Sequence, residues 1–116
     1  MTQGHKIETR RSDDHVEVRL GGVTVARSDR PVLLDETGIP TVHYLPKDDV
    51  VAEVRPIDLR TTCPFKGEAS YWTIETEDGT HDGIAWSYED PKPGAEEIRG
   101  RLAFFADRAE IVVGAG

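Results

Sequence analysis

The chain reads as short alternating runs of apolar and polar residues, cut by turn residues. In VEVRLGGVTVARS (16–28), Val16, Val18 and Leu20 alternate with charged positions, and Val23 and Val25 resume after Gly21 and Gly22. A two-residue Gly-Gly loop suits a primed hairpin turn. It predicts Leu20 opposite Val23 and Val18 opposite Val25, all on one face. Shorter strands are expected at HKIET (5–9), PVLLDE (31–36), TVHYLP (41–46) and DVVAEVRP (49–56), with Pro46, Lys47, Asp48 and Asp49 as a turn by composition.

A second long hairpin is expected from SYWTIET (70–76) and HDGIAWSY (81–88), turning at Asp78 and Gly79. With a two-residue loop, Tyr71 faces Trp86 and Trp72 faces Ala85. One side then carries Tyr71, Thr73, Ile84, Trp86 and Tyr88. The other carries Trp72, Ile74, Ala85 and Ser87. Apolar residues on both faces place such a hairpin inside a sheet rather than at its edge, and an odd loop length would exchange the two faces. Residues 94–99 predict one short helical turn. RLAFFA (101–106) and AEIVVG (109–114) read as a final strand pair across Asp107 and Arg108. One helix through 95–106 is the alternative, because Ile98, Leu102 and Phe105 also fit helical spacing. Gly100 and the paired phenylalanines favour strands.

These elements predict an all-β, mainly antiparallel fold of two packed sheets, a tent-like sandwich or a partly open barrel, with one short helix near 94–99. At 116 residues the expectation is a single domain, 1–116, able to bury one core. The net charge of −8 is spread along the chain and opposes nonspecific nucleic-acid binding, which needs a field of Lys and Arg. A single cysteine excludes an internal disulfide and any multi-cysteine zinc site. The first residues, MTQGHKIETRRSDD, lack an apolar stretch of the signal-peptide kind, and no apolar run approaches the roughly 20 residues that span a bilayer. A cytoplasmic protein of bacterial style, monomer or homodimer, is the expectation, with no cofactor and no metal.

The stretch TTCPFKGEASYW (61–72) gathers the rarest residue types. Pro64 fixes its own φ and pushes Cys63 toward an extended conformation. Phe65 and Lys66 complete the bend, and Gly67 can take positive φ. Cys63 and Lys66 then stand at the two ends of one tight turn, where an ammonium favours a thiolate. A half-buried thiol beside a solvated lysine is the bland reading of the same spacing.

Several stretches together carry a resemblance: GHKIE (4–8), YLP (44–46), TTCPFKGEASYW (61–72), AWSYEDP (85–91) and AFFADR (103–108). Over roughly residues 4–113 the chain resembles the family of small prokaryotic proteins known as domain of unknown function 427. The resemblance implies an all-β architecture with two antiparallel sheets, possible tent-like packing, and a nucleotidyltransferase label. That label does not match the residues here, since no Gly-Ser turn leads into an Asp-x-Asp or Asp-x-Glu pair. Relatives of the β-tent type hold zinc with two cysteine pairs, and with one cysteine that site does not carry over.

Other candidates are weaker. Glu36 ends a strand, and His43 and Tyr44 lie on opposite faces of the next. A carboxylate, an imidazole and Cys63 could form a nucleophile, base and orienter set, yet nothing in the sequence brings them together, and a surface position for His43 is the simpler reading. His5, His15 and His81 lack a close-spaced ligand partner. The aromatics offer more. Tyr71, Trp72, Trp86 and Tyr88 gather across one hairpin, and although core packing accounts for at least two of them, Cys63, Lys66 and Glu68 on the neighbouring turn could rim a concave pocket over the rest. Three functions compete. The first is a binding module for a small aromatic or anionic ligand, with Lys66, Tyr71, Trp86, Glu36 and Tyr44 as ligand-binding residues. The second is an enzyme with Cys63 as catalytic nucleophile or redox group. The third is a protein-interaction scaffold.

Overall fold

The computed structural model describes residues 4–114. Ten strands follow in order: β1 (Ile7–Arg11), β2 (His15–Leu20), β3 (Val23–Ser28), β4 (Val32–Glu36), β5 (Ile39–Tyr44), β6 (Glu53–Cys63), β7 (Gly67–Thr76), β8 (Gly79–Tyr88), β9 (Ala103–Phe104) and β10 (Glu110–Gly114). The only helical pieces among the described residues are two single 3₁₀ turns, Lys47–Asp49 and Glu96–Ile98. No helix among them is long and apolar enough to cross a membrane.

Among the described residues the fold is all-β with packed antiparallel sheets and no closed barrel. They form three sheets rather than the expected two, ordered β1-β4-β5, β10-β2-β3 and β6-β7-β8-β9. The four-stranded sheet is apolar on both faces, as the double-sided hairpin pattern predicts. On one face Trp72, Ile74 and Ala85 join Val16, Val18, Leu20, Val25 and Leu102 in the first core cluster. On the other, Ala69, Tyr71, Trp86 and Tyr88 pack with Val32, Leu34, Tyr44, Ile98 and Ala103. Isolated bridges at Ala26–Val50, Leu45–Leu102 and Tyr88–Arg99 stitch the layers where the strands end.

Bulges separate the observed registers from the expected ones. Leu20 does face Val23, but a register shift after Val18 puts Ala26, not Val25, opposite Val18. Val25 and Ala26 are then both buried, which a strict alternation cannot produce. In the long hairpin the two turn residues are Glu77 and Asp78, because Thr76 pairs with Gly79. A bulge opposite Thr73 absorbs the offset and restores Tyr71 opposite Trp86 and Trp72 opposite Ala85. Gly83 sits in that bulge at φ +60°, a left-handed conformation suited to glycine, and its N–H donates to the Thr73 hydroxyl at 3.2 Å.

Two further expectations are corrected. Of the expected strand 49–56 only 53–56 is strand; it begins β6, which continues to Cys63 with a bulge between Ile57 and Arg60, while Asp49 ends a 3₁₀ turn. Exposed, charged residues hide a strand from any burial pattern, and β6 lies at the sheet edge, where Pro56 costs no internal ladder bond. The last two strands do not pair with each other. β9 pairs with β8 and β10 with β2. Between them a turn closes through Arg108 and Ala109 N–H bonds to the Phe105 carbonyl.

Candidate functional site

The turn at 63–67 is built as its sequence suggests. Cys63 pairs with Gly67 across a loop of Pro64, Phe65 and Lys66, and Gly67 has φ +112°. A Cβ on Gly67 would lie 3.3 Å from the Asp90 carbonyl oxygen, so this glycine serves both conformation and close approach. The neighbouring loop grips the turn. The Lys92 N–H donates to the Lys66 carbonyl at 3.0 Å, and the Lys92 ammonium donates to the Pro64 carbonyl at 3.1 Å.

Held this way, Lys66 reaches back over the second core cluster. Its Nζ donates to Glu36 Oε1 at 2.7 Å and lies 5.7 Å from the centroid of the Tyr88 ring. The other Glu36 oxygen meets His5 Nε2 at 2.7 Å, and the His5 ring stacks on Phe65 at 4.1 Å. Burial pushes the Glu36 carboxyl up, but the bonds from Lys66 and His5 outweigh it and hold it below the ordinary carboxylate value. The result is an ion pair at the mouth of a concavity, with side chains only 13% and 7% exposed.

Behind this pair lies a cavity of about 270 Å³, lined by Glu36, Tyr44, Lys66, Tyr71, Trp86 and Tyr88, with Ile39, Val42 and Phe105 completing it. The Trp86 indole N–H donates to the Tyr44 hydroxyl at 3.1 Å, and the two rings meet edge to face at 6.3 Å. The Phe105 ring lies 4.6 Å from that of Trp86 and nearly parallel to that of Tyr71 at 6.4 Å. The Tyr71 hydroxyl bonds with that of Thr61 at 2.7 Å. Burial pushes the Tyr44 and Tyr88 phenols well above their usual value, so both keep their protons at any physiological pH. The Tyr88 hydroxyl has no hydrogen-bond partner among the described residues and keeps access to solvent; the sealed, unpaired side-chain polar atom among them is His81 Nε2.

Of the residues singled out from sequence, Glu36, Tyr44, Lys66, Tyr71 and Trp86 therefore line one space. Cys63 does not line it. Its half-buried thiol packs against the second core cluster. The expected Cys63–Lys66 partnership gives way to Lys66–Glu36, because a carboxylate from β4 reaches the ammonium first. Glu68 is exposed on β7, opposite Thr62, and takes no part. His43 faces another space, described below. Of the hairpin aromatics grouped from sequence, Tyr88 lines the space with Tyr71 and Trp86, while Trp72 packs on the other face. Sequence reasoning missed Phe105 as a lining residue and the His5–Phe65 stack. Those contacts join segments far apart in the chain. Among the described residues no three His, Cys, Asp or Glu side chains converge as a metal-ligand set.

The sequence profile of the family described as Domain of unknown function (DUF427), which carries the label NTP_transf_9, matches residues 8–114. No match is found among curated proteins. The match spans nearly the whole chain, and this chain belongs to that family.

Proposed function

We propose that this DUF427 domain binds a small aromatic or anionic molecule in the cavity beside the Cys63–Gly67 turn. Lys66 meets negative charge there, and Trp86 and Tyr71 offer ring faces for stacking. One observation carries the reading. Tyr88 presents a hydroxyl with no partner among the described residues to an aromatic-lined concavity that the Lys66 ammonium also reaches. A ligand acceptor there would gain a hydrogen bond, worth about 1 kcal/mol. A few convergent polar groups on an aromatic floor are what small-molecule sites use.

The competing reading of Cys63 as nucleophile or redox group has no comparable support. The Lys66 ammonium is committed to Glu36, and the thiol stands outside the cavity lining. The nucleotidyltransferase label of the family likewise finds no converging acidic set to hold a metal among the described residues.

Thermal-shift screening of the wild type and an Ile39→Trp variant against a metabolite library tests the proposal. Ile39 is 48% exposed and lines the cavity, so an indole there should fill the space while sparing the core. Compounds that raise the Tm of the wild type but not of Ile39→Trp support the site. Equal shifts in both proteins, or no shift with any compound, reject it.

A further inference from the structure

Each of the three sheets ends in two edge strands: β1 and β5, β10 and β3, β6 and β9. A free edge offers unpaired N–H and C=O groups to any other strand, and proteins blunt it with charge, proline, a bulge, shortness or a cover. Five of these six edges carry such a device. β1 holds Glu8, Arg10 and Arg11. β5 holds Pro40. β6 holds Pro56 and a bulge. β9 is only two residues long. Residues 50 and 51 cover β3, through the Ala26–Val50 bridge and a 2.7 Å bond from the Val51 N–H to the Val25 carbonyl.

β10 has none of these. Its sequence, EIVVG, contains no proline and no lysine. Its pairing with β2 runs without a bulge, and its other side meets no strand among the described residues. Glu110 is its single charge. Val112 and Val113, β-branched residues that favour strands, are 40% and 44% exposed. Ile111 and Val113 stand opposite the buried Val18 and Val16, on the core side, and Val112 stands opposite Glu17, on the outer side. Ile111 also lines an apolar concavity of about 210 Å³, with Ile39, His43, Phe104 and Ala106 among its other walls. Burial keeps the His43 imidazole below its ordinary value, so no charge faces this concavity at neutral pH.

We infer that β10 is the strand by which two copies of this chain pair, antiparallel about a two-fold axis at Val112. Only that register pairs all five residues of the strand. Val112 then meets the partner's Val112, Ile111 meets the partner's Val113, and Glu110 meets the partner's Gly114. No like charges stand opposite each other, and the partner's Val113 extends the apolar row beside Ile111. The product is one six-stranded sheet, β3-β2-β10-β10-β2-β3. Both of its ends are covered β3 edges, so the assembly closes at two. The self-complementary register and the covered ends point to a second copy rather than a strand of another protein.

Sedimentation of the full chain from about 1 µM to about 1 mM should show the average mass rising from one chain toward two and no further. Each chain has a net charge of −8, so added salt should strengthen the association by screening the repulsion. Val112→Lys sets two ammonium groups opposite each other and should weaken the dimer about tenfold or more. Its ammonium can meet Glu17 on the same sheet face, so the melt of the dilute monomer should stay in place. Directly opposite residues lie within disulfide reach. In a Cys63→Ser background, Val112→Cys should therefore cross-link two chains under mild oxidation. Leu59→Cys, on the β6 edge at a residue 46% exposed, should not. A chain that stays monomeric at about 1 mM, association past two, a dimer that Val112→Lys leaves intact, or cross-linking that does not favour Val112→Cys would each overturn the inference.

Discussion

The two tryptophans of the β7–β8 hairpin are built into opposite faces of one sheet with nearly the same parts. Each indole N–H donates to a hydroxyl, Trp72 to Ser87 at 2.9 Å and Trp86 to Tyr44 at 3.1 Å. Each is attended by a lysine paired to a glutamate, Lys47 with Glu89 and Lys66 with Glu36. The outcomes differ. On the Trp72 face the chain of bonds closes on itself. The Ser87 hydroxyl passes its hydrogen to Glu89, Glu89 takes Lys47, and Lys47 sits 4.5 Å over the Trp72 ring. On the Trp86 face the chain is left open. The Tyr44 and Tyr88 hydroxyl hydrogens have no acceptor among the described residues, and a cavity stands where the seal would be. One face reads as a finished core edge. The other keeps two hydroxyl hydrogens without an acceptor among the described residues.

The sharpest break in this contrast should come from Glu36→Gln. It removes the charge that Lys66 and His5 share in a nearly buried site, and leaving one partner of such a pair behind costs about 3 kcal/mol. Denaturant unfolding at pH 7 reads it. The same group predicts a pH dependence. Its folded pKa lies below the ordinary value of 4.5, so the unfolded chain binds the proton more readily. The stabilisation is therefore fully present above about pH 4.5 and is lost as pH falls through the lower folded value. In Glu36→Gln this part of the acid limb should flatten.

Ser87→Ala should cost about 2 kcal/mol, because it orphans the Trp72 N–H and unhooks Glu89 in a fully buried position. Tyr44→Phe should cost less, about 1 kcal/mol, since only the Trp86 N–H loses its acceptor. Tyr88→Phe should change stability by no more than about 0.5 kcal/mol in either direction, because the hydroxyl it deletes is unpaired. Thermal and denaturant melts of the three variants rank these effects. If Tyr88→Phe were as costly as Ser87→Ala, the two faces would be closed alike and the contrast would fail.

The sequence was most readable where local chemistry decides. Gly21 and Gly22 announce a hairpin, and CPFKG announces a turn closed by a positive-φ glycine, because each needs only a few adjacent residues. The pairing of Tyr71 with Trp86 was also legible, though through two offsets that cancel. The turn falls one residue earlier than Asp78-Gly79 suggests, and the bulge at Gly83 takes up the difference. A bulge is set by backbone geometry with little side-chain signature beyond the glycine, so neither offset could be read alone. The partners of β9 and β10 were hidden for another reason. AFF and EIVV say strand, but nothing local says which sheet. The site shows the same divide. Which residues face one way along the hairpin follows from alternation. That Lys66 would find Glu36, thirty positions away, instead of the adjacent Cys63 depends on how a different sheet packs over the turn.

The proposed difference between the faces, Trp86 open to a ligand and Trp72 closed, can be read at the indoles themselves. The chain has two tryptophans, so its ¹H–¹⁵N spectrum carries two indole N–H signals, assignable with Trp72→Phe and Trp86→Phe. Titration with a compound that stabilises the wild type but not Ile39→Trp should move the Trp86 indole signal and leave the Trp72 signal in place. Movement of the Trp72 signal alone, or of both signals equally, would contradict the account.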